Sequence, residues 1–195
     1  MSESTITKTA LSESVIELCQ HKRFEKISIS DITEKCGLNR QTFYYHFTDK
    51  YDLLAWIYQE RTFKDLRGDV RLDNWEAQVC LMLDSIQTHH NFYRNTVTAD
   101  PNTFAVVFGR VTTALFLELF ARLDKNGLVS MADRRFYAKF FSYGCSGVVI
   151  EWIQDGARVS ADSIGHQLFR LAKDTERLAN ARFEEELAEG LFSRE

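Results

Sequence analysis

The chain has 195 residues, 45% of them hydrophobic and 27% charged, enough for one or two globular units with a real core. One proline and nine glycines are too few for a turn-rich β fold and suit long, uninterrupted helices, so an all-α chain is expected. A net charge of −4, with seven Lys/Arg against nine Asp/Glu in residues 1–60, excludes a globally basic nucleic-acid binder; such a site must be a local patch.

Leu11, Val15, Leu18 and Cys19 share one face of an amphipathic helix running from about Thr7 to Lys22, with Phe24 covering its end. In "SISDITEKCG", Ser28 is an N-cap and Asp31 stands at N3, a capping box that opens a second helix ended by Gly37. Asn39 caps a third helix, Arg40 to Phe47, and Asp49 caps a fourth whose apolar stripe is Leu53, Leu54, Ile57 and Tyr58. Two short helices joined by a Gly-containing turn form a helix-turn-helix pattern over residues 28–47. Gly68 to Asn74 is the best domain boundary, dividing a unit at 5–65 from one at 70–195.

Beyond it, "WEAQVCLMLDSI" and "FYRNTV" are helical, and Pro101 marks a break. "FAVVFGRVTTALFLELFARL" is apolar on most sides and expected to be interior. A further long helix ends at Gly156, and Ser160 or Asp162 caps the last one, from Ile164 to about Leu191. No run of about 18 apolar residues is read, so no membrane span is expected. The N-terminus carries no signal-peptide pattern, which points to the cytoplasm. Cys19, Cys36, Cys80 and Cys145 are expected to be reduced thiols; a metal site from Cys19, His21, Cys36 and His46 matches no zinc spacing, so no metal or other cofactor is assigned.

The third helix carries the chemistry. At about 100° per residue, Phe43 and Phe47 lie on one side and Gln41, Tyr44 and Tyr45 on another, with Thr42 and His46 flanking Phe43. One side builds core; the other offers hydrogen-bonding tips to a polar, ordered partner. Duplex DNA is such a partner, since Gln reads adenine, Arg reads guanine, and Tyr, His and Lys hold phosphates.

Residues from about Thr7 to Phe63, in particular "SISDITEKCGLNRQTFYYHFTDKYDLL", resemble the N-terminal DNA-binding domain of the TetR family of transcription regulators. The resemblance is specific and covers nearly a third of the chain. It implies base-edge contacts from Arg40, Gln41, Thr42 and Tyr44, and phosphate contacts from Ser28, Tyr45, His46 and Lys50. The family often has a small residue in place of Gln41, so the longer side chain implies a different base preference or a helix held farther from the groove. "RQTFYYHF" with "GVVIEWIQDG" is similar to the branch containing the dihydroxyacetone kinase operon activator, where a protein coregulator can replace a small effector.

A single recognition helix reads half a site, so a homodimer on a palindromic operator is expected. The last two helices, where the family dimerises, supply Phe140, Phe141, Gly144, Gly147, Val148, Glu151 and Trp152 as the candidate interface. The resemblance also implies an effector cavity among the middle helices, although aromatic residues at helical spacing are more often core. His89 and His90 point to different faces, which is poor metal geometry. A TetR-like scaffold working through a protein partner is the alternative function. No H-E-x-x-H, P-loop or nucleophile elbow supports an enzyme.

Overall fold

The computed structural model describes residues 3–64, 66, 74–124, 127 and 129–188; apart from Asn74, the expected boundary at Gly68–Asn74 lies outside them. The described elements are helical. They are α1 (Glu3–Leu18), a 3-10 turn (Phe24–Lys26), α2 (Ile29–Lys35), α3 (Arg40–His46) and α4 (Lys50–Ile57), which runs on as a π-helical turn (Tyr58–Thr62). Then come α5 (Trp75–Thr88), α6 (His90–Ala99), α7 (Pro101–Leu123), α8 (Met131–Gln154) and α9 (Ala161–Ala188).

The ends of these helices follow local chemistry. Ser28 Oγ accepts the Asp31 amide at 3.1 Å while Asp31 Oδ2 accepts the Ser28 amide at 2.7 Å, the full capping box. Gly37 follows α2 with φ +68°, a conformation that disfavours any residue with a Cβ. Asn39 Oδ1 accepts the Thr42 amide at 2.8 Å, and Asp49 Oδ1 accepts those of Tyr51 and Asp52. Pro101 opens α7 behind the Asp100 cap, where its missing N–H costs nothing. Of the two candidate caps for α9, Ser160 does the work, its Oγ accepting the Ser163 amide at 3.2 Å.

α1 through α4 pack on one another, and α4 leads into the second half, where α7 lies along α8 and α9 lies on α5. One apolar core runs through both halves, from Leu11, Phe43 and Leu54 to Phe92, Phe104, Val149 and Ile164. Inside it, Tyr58 Oη donates to Thr96 Oγ1 at 2.8 Å, and the Thr62 and Tyr93 hydroxyls pair at 2.8 Å, satisfying polar groups that burial would otherwise penalise. Burial also pushes the Cys19 thiol up to about 12 and Cys145 to about 11, so both stay protonated.

Two expectations change. α7 is not enclosed: Phe104, Val107, Phe108, Thr112 and Phe116 face inward, while Val106, Arg110 and Glu118 face out. Its segment Pro101–Arg122, with mean hydropathy 1.7, is also long and apolar enough to cross a bilayer, contrary to the reading that no such run exists. Its inward face, however, fills protein core shared with α4, α6 and α8.

α9 packs tightly on α5 at Gly165, where an added Cβ would lie 2.6 Å from Cys80 Sγ. Alanine gains up to about 1 kcal/mol over glycine inside a helix, but overpacking costs about 1–3 kcal/mol. Gly165→Ala is therefore expected to lower Tm in the wild-type chain and to raise it in a Cys80→Ala background, read by thermal unfolding of the four variants of this cycle.

Candidate nucleic-acid interface

α3 is only seven residues long, too short to persist alone. Its grip on the core is Phe43, fully buried, and Phe47, nearly so, whose rings lie 5.9 Å apart; Phe47 also meets Trp56 edge-on. Each phenylalanine contributes about 1.5–3 kcal/mol by leaving water. The opposite face stays open. Arg40 and Gln41 are exposed, Tyr44 is 51% exposed and Tyr45 85% exposed. Thr42 is half-buried because its hydroxyl donates to the Asn39 cap at 3.0 Å, and His46 is half-buried beside the Tyr45 ring. An open groove of about 510 Å³ separates this face from the first turns of α1, with Thr7, Asn39, Gln41 and Tyr45 among its walls.

Six of the eight residues assigned to DNA thus share one accessible surface on α3, and two need correction. Lys50 Nζ donates to the backbone carbonyls of Phe24, Glu25 and Ile27 at 2.9, 3.0 and 2.9 Å and lies 4.9 Å from the Phe24 ring centroid. All three of its protons are used inside the protein, so it is not a free phosphate ligand. Partial burial holds its pKa below the usual lysine value. Ser28 is exposed, but its amide and hydroxyl both donate to Asp31 Oδ2, leaving no donor for a phosphate.

The backbone between α1 and α2 is held from three sides. Lys50 comes from α4. Asp31 Oδ2 accepts from Lys22 Nζ at 2.7 Å, and this bond, with those from Ser28, lowers the Asp31 carboxyl to about 2. Asn95 comes from α6: its Nδ2 donates to the carbonyls of Cys19 and Lys22 at 3.0 and 2.8 Å, and its Oδ1 accepts the Phe24 amide at 2.8 Å. Asn95 went unassigned in the sequence; its one visible signal is a polar, poor helix former on the apolar side of "FYRNTV".

On the proposed dimer helix, Phe140, Gly144, Gly147, Val148 and Glu151 are exposed. Phe141 and Trp152 are not. Phe141 packs within the protomer against the tilted rings of Phe116 and Phe120, and Trp152 is buried with its Nε1 donating to the Val159 carbonyl at 2.9 Å, so neither belongs to an outer surface. Among the described residues no group of three or more His, Cys, Asp or Glu is placed to hold a metal ion.

Known proteins share these features. Residues 15–57 match the family described as bacterial regulatory proteins, tetR family, and residues 73–174 match the transcriptional regulator C-terminal region. The HTH-type dhaKLM operon transcriptional activator DhaS of Lactococcus lactis subsp. lactis is 28% identical over 102 residues, which are 52% of this chain and 54% of that one. The chain is thus aligned with only about half the length of this curated relative. The solved structure titled dihydroxyacetone kinase operon activator DhaS superposes with TM-score 0.68 at 21% identity, covering 89% of this chain and 98% of the other. A TetR-family regulator from Streptomyces coelicolor superposes with TM-score 0.61 at 16% identity, covering 98% and 90%. These structural likenesses support the fold.

Two measurements check the electrostatics. The Asp31 carboxyl is expected to titrate near 2 by NMR, and Lys22→Met should bring it back toward 3.8. Because the folded value is depressed, the cap's contribution is present above about pH 4 and is lost as pH falls toward 2. Lys50→Met should lower Tm by a few degrees yet leave the slope of log affinity against log salt unchanged, whereas losing a phosphate ligand reduces that slope by about one.

With the C-terminal family match spanning half of its residues and the N-terminal match falling on the helix-turn-helix, this chain belongs to the TetR family of transcription regulators.

Proposed function

We propose that the chain binds a palindromic operator as a homodimer, with residues 5–65 as the DNA-binding domain and 70–195 as the domain that dimerises and receives the regulatory signal. The observation carrying the DNA reading is the division of α3 into a face buried through Phe43 and Phe47 and an open face bearing Arg40, Gln41, Tyr44 and Tyr45. An α-helix of this kind fits the major groove, where Arg40 and Gln41 can make bidentate contacts to guanine and adenine. Thr42 and Tyr44 complete the base-edge set, and Tyr45 and His46 hold the flanking phosphates.

The dimer reading is supported by an uncovered apolar stripe on α8. Phe136, Phe140 and Tyr143 are each more than 60% exposed, and the exposed Gly147 continues the row with Val148 to one side. Such a stripe is costly to leave in water and marks an association surface. Among the described residues, and apart from the helix's own backbone, nothing lies within 4 Å of a Cβ placed on Gly144 or Gly147, so these glycines leave room for a second helix to approach. Two copies would set their recognition helices in successive major grooves, about 34–36 Å apart.

The regulatory input is either a small effector or a protein coregulator acting on the C-terminal half. A stoichiometric protein co-purifying from native extract supports the coregulator; a retained small molecule supports the effector.

Phe140→Arg is expected to convert dimer to monomer in light scattering and to weaken binding to an operator selected from a randomised duplex pool. Gln41→Ala should cost about 1–3 kcal/mol and relax preference at one base position in each half-site. A Phe140→Arg protein that stays dimeric, or a Gln41→Ala protein with unchanged preference, would defeat the corresponding half of the proposal.

A further inference from the structure

Asn95 lies in the C-terminal matched region, while all three of its side-chain hydrogen bonds go to backbone groups of residues 19–24 in the N-terminal matched region. The side chain fits this place because its amide donates twice and its oxygen accepts, and the three partners are two carbonyls and one amide. Cys19 and Lys22 follow the last turn of α1, where carbonyls lack helical partners, so Asn95 also finishes that helix.

The same stretch of backbone governs the reading helix. Its next carbonyls, at Phe24, Glu25 and Ile27, are those gripped by Lys50 at the start of α4. It then enters the Ser28–Asp31 cap of α2, and α2 packs on α3. A side chain of α6 thus holds the frame from which α2, α3 and α4 all take their position. α6 also packs on the 3-10 turn and meets the π-helical turn through apolar contacts and the Tyr58–Thr96 and Thr62–Tyr93 hydroxyl pairs, while α4 and the π-helical turn pack on α7. Apolar packing of that kind is non-directional and leaves room for small changes of angle. A directional clasp on a second side removes that freedom.

We infer that Asn95 is a positioning residue that fixes the angle at which each protomer presents α3, and so sets the half-site spacing the dimer accepts. This rests on the dimer reading above. It touches no base and no phosphate; its effect reaches DNA only through the backbone it holds.

The test uses the full chain and a series of palindromes built from the selected half-site, with the centre lengthened or shortened by one base pair. One base pair shifts a half-site by about 3.4 Å and rotates it by about 34°. The wild-type protein should prefer the best spacing over its neighbours by about tenfold or more, the scale of a lost specific contact. Asn95→Ala should flatten that preference at least several-fold, measured by fluorescence anisotropy. Asn95→Asp, which keeps the acceptor for Phe24 but sets a carboxylate against two carbonyls, should flatten it too and serves if the alanine variant does not fold. Trp75→Leu, a truncation in the separate α5–α9 cluster with Phe169, should lower stability and keep the preference. The preference is a ratio of affinities, so loss of folded protein alone does not alter it. Asn95 variants that discriminate spacing as the wild type does overturn the inference. A wild-type protein that binds every spacing alike overturns the dimer reading, and the inference with it.

Discussion

A two-turn helix has too few internal hydrogen bonds to stay formed in water, and the rest of the architecture answers that constraint. On the DNA reading proposed above, α3 has to be stiff enough to meet base edges, yet its outer face cannot be used to stiffen it. Phe43 and Phe47 therefore take the load from behind, pressed against Trp56 and the α1–α4 core. The Asn39 cap closes one end, and the Asp49 cap begins the next helix two residues past Phe47. Aromatic crowding in "FYYHF" is the sequence expression of this division, in which rings that anchor alternate with rings that reach out.

Charge is organised at the same scale. The chain is acidic overall, and several of its cations are occupied at home: Lys22 with Asp31, Lys50 with three carbonyls, Arg61 with Glu13, Arg134 with Asp124. Arg40 has no ion-pair partner among the described residues and stands on the exposed face. So little long-range attraction for phosphate fits the proposed reading, in which recognition depends on fit and base-edge contact more than on charge.

What the sequence revealed, and what it hid, follows from the range of each interaction. The caps at Ser28, Asn39 and Asp49 and the left-handed Gly37 were legible because every partner lies within a few positions. Lys50 was assigned to phosphate because its true partners lie 23 to 26 positions earlier, and the role of Asn95 depends on groups 71 to 76 positions away. No periodicity encodes such pairings. α8 shows a second limit: its apolar residues surround the helix, so spacing alone could not separate Phe140 on the open side from Phe141 and Trp152 on the closed one. The same ambiguity made α7 look enclosed when only one of its sides is.

The π-helical turn at Tyr58–Thr62 has a consequence for how this protein tolerates change in length. The Phe63 amide donates to the Tyr58 carbonyl at 3.0 Å, five positions back, so the turn holds one residue more than an α-helical turn would. The turn delivers Phe63 between Phe104 and Phe108, at 5.6 Å from each ring. Excising a single residue here would let the backbone relax into a regular α-helix and leave the benzyl group near its slot, because four α-helical residues cover about the same arc as the five of the π turn. A joint one residue shorter, wound as a regular helix, would therefore reach the same socket from about the same direction.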